Sequence, residues 1–304
     1  MIVLKSRRQG GDLLAFGPDS RMLAARSETG LQFWRDFSAG KKATVFRDHT
    51  SVAILQFTPN GESLFIDGYE GGVLHIPSGE FDPFPATNDY RYCSLTADRK
   101  KLIAVQVPAD RTKNRIECWP AAKPFIGKPL WKVRVKRPFV GRPVVLPDGR
   151  FLVDEEERNA KGDSKLYRNV LRSGDDGSIL SETEPLDWFS ERDAVSPDGK
   201  WLVGQHTNEL RIWSLENLAA PPLERKQEGS KKIFTDVAFH PSGRWLGVTS
   251  TDESVKLFDT ATWQIARTYS WGIGKMVGIA FSPDGALAAT GSDRGRIVIW
   301  DVDN

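Results

Sequence analysis

Phe281-Ser282-Pro283-Asp284-Gly285, followed by an apolar stretch and then Ile297-Val298-Ile299-Trp300-Asp301, is the segment from which the rest of the chain can be read. Proline at the second position of a turn presets φ, and Asp-Gly completes the reversal. The flanking residues are short apolar runs rich in β-branched types, the signature of strands. The same phrase stands upstream as Phe239-His240-Pro241-Ser242-Gly243, closing with Val255-Lys256-Leu257-Phe258-Asp259. It stands again as Val195-Ser196-Pro197-Asp198-Gly199, closing with Leu210-Arg211-Ile212-Trp213-Ser214.

Four weaker copies precede these: Phe16-Gly17-Pro18-Asp19-Ser20, Phe57-Thr58-Pro59-Asn60-Gly61, Leu95-Thr96-Ala97-Asp98-Arg99 and Val145-Leu146-Pro147-Asp148-Gly149. Their closes are Leu31–Trp34, Val73–Ile76, Ile116–Trp119, and an ill-defined one near Tyr167 or Leu171. The central positions are 18, 59, 97, 147, 197, 241 and 283, spaced by 41, 38, 50, 50, 44 and 42 residues. A period of about 40–45 residues with four short strands per copy is the pattern of a propeller blade. No stretch keeps the 3.6-residue period of a long amphipathic helix. The expected fold is therefore all-β: a seven-bladed β-propeller of four-stranded antiparallel blades over residues 1–304.

At these residues the chain resembles the WD-repeat family, through its FSPDG-like turn, its closing Trp-Asp and its spacing. Trp300-Asp301 is the only literal pair; elsewhere Trp34 precedes Arg35, Trp119 precedes Pro120 and Trp213 precedes Ser214. The resemblance implies that each outer strand is shared across a repeat boundary. The segment from Met1 to Arg7 would then complete the last blade, leaving one closed domain without linker or tail and no open edge. The His–Ser/Thr–Asp–Trp network that often accompanies the family pattern is largely missing. Ser250 and Asp252 fit it in the sixth copy, but no His accompanies them. Apolar packing between blades is expected to hold the ring instead.

Composition narrows the function classes. The 42 basic and 40 acidic residues almost cancel, leaving +2. The broad basic field of a nucleic-acid binder is absent, and nucleic acid is disfavoured as a partner. No apolar run approaches the ~20 residues of a membrane span, and no secretory leader is visible at the N-terminus. These features point to a monomeric, cytoplasmic protein without a membrane partner. Cys93 and Cys118 fall on the first and third strands of one blade, roughly 9–10 Å apart. That exceeds the ~7 Å limit of a disulfide, so two free, packed thiols are expected.

Catalytic constellations are scarce. The four histidines, at 49, 75, 206 and 240, lie on different strands and loops and do not converge on a metal. Neither a nucleophile elbow nor a phosphate-binding glycine motif is present. Gly272-Ile273-Gly274-Lys275 lies between strands with no helix behind it, so it lacks anion-binding geometry. Asp154-Glu155-Glu156-Glu157 cannot converge on one ion, because strand residues alternate faces; a solvated charge run is expected. Within Trp131-Lys132-Val133-Arg134-Val135-Lys136 the cations alternate with apolar residues, the pattern of an outer, half-buried strand.

The expectation is a non-catalytic scaffold, with no cofactor and no metal, whose partner is another protein or a peptide. The resemblance places binding on the face built by the between-blade loops and the second-to-third-strand loops. Those loops supply Tyr69, Tyr90, Arg91, Phe139, Arg142, Trp188, Phe189, Phe234, Trp271 and Arg294. Aromatic residues and arginine dominate interface hot spots. Two long charged loops, near 109–114 and 154–164, share that face. The competing class is a propeller hydrolase or lactonase with a central metal or channel-lining acids.

Overall fold

Each copy of the repeated phrase forms a turn whose fifth residue has a left-handed backbone. The computed structural model describes residues 1–6, 10–28, 30–46, 52–68, 71–84, 90–106, 114–121, 126–158, 165–190, 192–227, 229 and 231–303. At Gly61, Gly149, Gly199, Gly243 and Gly285 φ lies between 69° and 89°; Ser20 and Arg99 adopt 57° and 56°. Glycine takes this conformation freely, whereas L-residues are crowded in it. The side chains complete the turn. Ser282 Oγ donates to Asp284 Oδ1 (2.6 Å) and accepts from Leu287 N (2.9 Å), while Asp284 Oδ1 accepts from Ala286 N (3.1 Å). Thr58/Asn60 and Ser196/Asp198 repeat the arrangement.

Seven four-stranded antiparallel sheets result, a seven-bladed β-propeller. After β1 (Ile2–Lys5), the first sheet holds β2 (Gly10–Phe16), β3 (Leu23–Ser27), β4 (Gly30–Trp34) and β5 (Thr44–Phe46). The second holds β6 (Val52–Phe57), β7 (Ser63–Gly68), β8 (Gly72–His75) and β9 (Phe81–Pro83). The third holds β10 (Tyr90–Leu95), β11 (Lys101–Gln106), β12 (Arg115–Pro120) and β13 (Trp131–Arg134). The fourth holds β14 (Val144–Val145), β15 (Phe151–Arg158), β16 (Lys165–Arg172) and β17 (Ile179–Glu182). The fifth holds β18 (Arg192–Val195), β19 (Trp201–His206), β20 (Glu209–Ser214) and β21 (Leu223–Lys226). The sixth holds β22 (Phe234–Phe239), β23 (Trp245–Ser250), β24 (Ser254–Asp259) and β25 (Gln264–Ser270). The seventh holds β26 (Met276–Phe281), β27 (Leu287–Ser292) and β28 (Arg296–Asp301), and its fourth strand is β1. The pairing runs from Ile2 opposite Ile299 to Lys5 opposite Arg296, as the closing role foreseen for the N-terminal segment requires. The only helix among the described residues is a three-residue 3-10 turn, Phe37–Ala39, and no helix there is long and apolar enough to cross a membrane.

The chain divides into two compact units: Met1–Asp82 with Gln205–Leu210 and Arg225–Asn304, and Pro83–Gly204 with Arg211–Glu224. In the first, the seventh and first sheets are joined by main-chain pairing at Gly10 opposite Ser292. Glycine permits this approach: a Cβ on Gly291 would lie 2.2 Å from Gly11 O. Leu4, Leu14, Ala25, Trp34, Ile297 and Ile299 fill the space between those two sheets. In the second unit, Ile103, Val105, Ile116 and Cys118 pack on Phe151, Val153 and Val170. Apolar burial of this kind contributes about 25 cal/mol per Å². Both cysteines are free and buried, and burial pushes the Cys118 thiol up to about 11.

Two expectations need correction. In the sixth sheet Gln227 takes the place of the absent histidine: its Nε2 donates to Ser250 Oγ (2.9 Å) and Asp252 Oδ2 (2.6 Å), and Lys256 Nζ donates to Asp252 Oδ2 (2.6 Å). A polar network therefore supplements apolar packing there. The acidic run on β15 alternates faces, as geometry demands, but its first half is not solvated. Asp154 is 7% exposed and Glu155 2%. Glu155 pairs with Arg172 Nη2 at 2.6 Å, and Arg137 joins Glu155, Glu157 and Glu182.

Candidate functional loop face

Within the second unit, the connection from β17 to β18 carries Trp188 and Phe189 and is pinned along its length. Leu186 and Tyr167 exchange two main-chain bonds (2.8 and 2.9 Å), Thr183 N donates to Asn169 O (3.1 Å), and Ser190 Oγ donates to Arg192 O (2.7 Å). Trp188 is half-buried against the cluster built on Leu146, Leu171 and Trp213, and the Arg211 guanidinium lies 4.4 Å from its ring centre. A cation over a tryptophan face is attractive and holds the ring in place. Arg211 is in turn held by Asp187 (3.7 Å) and Glu224 (3.5 Å). Phe189 is 37% exposed and its ring lies 5.3 Å from that of Tyr167. An exposed aromatic ring thus stands beside a fixed one on a connection held by main-chain bonds at Thr183 and Leu186.

Phe139 and Arg142 lie on the connection from β13 to β14, where Phe139 packs on the cluster of Ile103, Val105, Phe151 and Val153. Phe139 is half-buried and bridges the Glu155 backbone. Burial raises the Asp193 carboxyl above its usual range, against the Ser190 hydrogen bond and the charge of half-buried Arg142, which both pull it down. Burial raises Asp154 well above the usual carboxylate value too, and the Asp193 charge adds to the effect. Asp193 Oδ1 is buried and accepts no hydrogen bond among the described residues. Burial and like charge together oppose simultaneous ionisation of the two carboxyls.

The first unit carries a second group. Trp271 stacks on Tyr269 at 5.8 Å with an interplanar angle of 1°, and lies 4.8 Å from Trp300. Lys275 N donates to Asp293 Oδ1 (3.0 Å), tying the loop after β25 to the β27–β28 turn. On that turn Arg294 is exposed, 3.9 Å from Glu253 of the β23–β24 turn. Phe234 is only 2% exposed, so it packs inward rather than facing a partner. Tyr69 and His49, with residues 109–113 and 159–164 of the long loops, lie outside the described residues. Tyr90 and Arg91 begin β10, and their side chains are not among those described.

Arg211, Tyr167 and Asp193 were missed in the sequence. Arg211 sits in a closing strand where alternation with Leu210 and Ile212 marks only an outward residue. What it covers depends on a loop more than twenty residues away. A Ser–His–Asp alignment does occur in the second sheet, where His75 Nδ1 lies 3.1 Å from Ser63 Oγ and Nε2 lies 2.9 Å from Asp82 Oδ2. Ser63 is 8% exposed and its N–H bonds Thr58 Oγ1, so the alignment ties β7, β8 and β9 together. Among the described residues no three His, Cys, Asp or Glu side chains form a metal-binding group.

Seven four-stranded antiparallel sheets, the last completed by the N-terminal strand, define a seven-bladed β-propeller. Residues 223–259 and 270–301 match the sequence model of the WD domain, G-beta repeat. The matched repeats and the relatives below support a WD-repeat β-propeller. The chain is 32% identical over 149 residues to an uncharacterized WD repeat-containing protein of Synechocystis, covering 49% of this chain and 40% of the relative. It is 27% identical over 108 residues to a Target of rapamycin complex subunit of Schizosaccharomyces pombe, covering 36% and 34%. It is 24% identical over 181 residues to a guanine nucleotide-binding protein subunit beta of Zea mays, covering 55% and 47%. The matches thus span less than half of each relative.

Proposed function

We propose that the chain is a non-catalytic scaffold that binds a protein or peptide through its loop face, with Trp188 and Phe189 as the principal contacts. The observation that carries this reading is the pinned β17–β18 connection, which presents Phe189 outward and backs Trp188 with Arg211. Relatives named as a complex subunit and as a guanine nucleotide-binding protein subunit support it, because both names describe parts of assemblies. Trp271 and Arg294 form a second contact group on this reading, and Arg142 and Phe139 flank the first. Cytoplasmic location and a monomeric state accord with the same reading.

Affinity capture of the intact protein followed by mass spectrometry, run in parallel with Phe189→Ala and Trp188→Ala, tests the proposal. The expected result is a partner whose recovery falls at least tenfold with Phe189→Ala, as removal of a hot spot worth about 2 kcal/mol implies. A partner recovered equally by wild type and both variants would move the binding surface elsewhere.

A further inference from the structure

β13 is the outermost strand of the third sheet, and its two sides are unlike. Trp131, Val133 and Val135 pack toward Phe151 and Val153, and the Trp131 indole donates to Gly174 O at 3.0 Å. Lys132, Arg134 and Lys136 face the other way and are exposed. Val135 N donates to Asn114 O, so counting back in twos turns the N–H and C=O of Lys132 and Arg134 to the open edge. The strand thus offers unpaired main-chain donors and acceptors together with cations about 7 Å apart, the i, i+2 spacing of a strand.

These cations lack partners. Among the described residues no carboxylate lies within ion-pair distance of Lys132, Arg134 or Lys136. Glu117 stands opposite Lys132, but its two oxygens are taken by the Trp119 indole (3.0 Å) and Arg115 (3.1 Å). Arg134 stands opposite Arg115, whose own charge is met by Glu117. Other outer strands differ. Lys226 on β21 pairs with Glu209, Arg225 donates to Trp263 O, and Glu182 on β17 pairs with Arg137. A single lysine suffices to discourage edge pairing; three in a row also select by charge. They repel a second copy of this strand and attract a carboxylate ladder of matching period.

We propose that the outer edge of β13 is a strand-addition site for an extended acidic peptide, its alternate carboxylates pairing with Lys132, Arg134 and Lys136. Main-chain bonds supply the alignment and the cations supply the selectivity. Nucleic acid fits less well, because the aromatic residue of this strand, Trp131, lies on the packed side and offers no stacking surface. The surface is separate from Trp188 and Phe189, so it adds to the loop-face reading and stands or falls independently.

The test is fluorescence anisotropy with the intact protein and a labelled eight-residue peptide of alternating Glu and Val. Three comparisons accompany it: the same composition with the four Glu residues contiguous, the alternating peptide N-methylated on its pairing edge, and a labelled single-stranded oligonucleotide. The alternating peptide should bind, and both altered peptides should bind at least tenfold more weakly. The Lys132→Glu/Arg134→Glu/Lys136→Glu variant should lose at least tenfold in affinity with an unchanged melting curve, whereas Phe189→Ala should bind as wild type. No binding of the alternating peptide, equal binding of the contiguous or N-methylated peptide, or preference for the oligonucleotide would each overturn the proposal. The two altered peptides keep it open to refutation even if the triple variant fails to fold.

Discussion

A carboxyl group placed as Asp154 is, 7% exposed and beside Asp193, ionises against both desolvation and a like charge. Its proton is therefore held more tightly in the folded chain than in the unfolded one. Below about pH 3 the group is largely neutral in both states and costs little. As pH rises the unfolded chain gives up the proton first, so stability falls with pH until the folded group ionises as well. Asn at this position escapes that loss. Asp154→Asn should match wild type near pH 3 and exceed it by about 1 kcal/mol or more at pH 8. For a chain of this size each kcal/mol is roughly 1.5–2 °C in thermal melts. An offset equal at both pH values would show that ionisation is not the cause. That Asp154 and Glu155 point to opposite faces was legible in the sequence, because alternation is local. Their burial was not, since Asp193 lies in the next sheet and Arg172 is seventeen residues from Glu155.

In the fourth sheet the short β14, of two residues, is offset by the ion pairs between β15, β16 and their neighbours. Glu155 and Arg172 are 3% and 4% exposed at their side chains, so loss of Arg172 leaves buried Glu155 with only the longer Arg137 contact at 3.5 Å. Arg172→Met should cost about 3–5 kcal/mol, and Glu155→Leu combined with it should recover much of that loss. Urea unfolding of the two variants and wild type checks both halves; additive losses in the double variant would mean that the pair does not act as one. Strands bounded by the repeated turn were legible, because Pro and Gly punctuate them at fixed offsets. The outer strand at Trp131–Arg134 was legible from its alternation alone. The ill-defined close of the fourth copy proved to be β16, whose eight residues include four charged or amide side chains that hide its strand pattern. The position of Trp188 was legible as a loop aromatic, but its guanidinium backing was not.

Across the whole chain the recurring interval revealed seven sheets, and the surplus N-terminal segment revealed how the last one is completed. Neither depends on knowing which side chains touch, and both survived the replacement of most closing Trp-Asp pairs. Deleting residues 1–5 should lower the melting temperature by several degrees and raise light scattering on heating, because β28 would present an open edge. A truncated chain that melts and scatters as wild type would show that β1 is dispensable. The partner surface was legible only as a collection of loops, since loop side chains acquire their neighbours from distant segments.

The pairing of Ile2 with Ile299 also sets a schedule. On a ribosome the first residues made must wait for some of the last before their sheet can be finished. At the usual 5–20 residues per second that wait lasts roughly 15–60 seconds. Earlier sheets can form during translation, but the final one waits until β28 has been made. A chaperone that shields Met1–Lys5 during synthesis would therefore raise the yield of folded protein without touching any contact of the finished molecule.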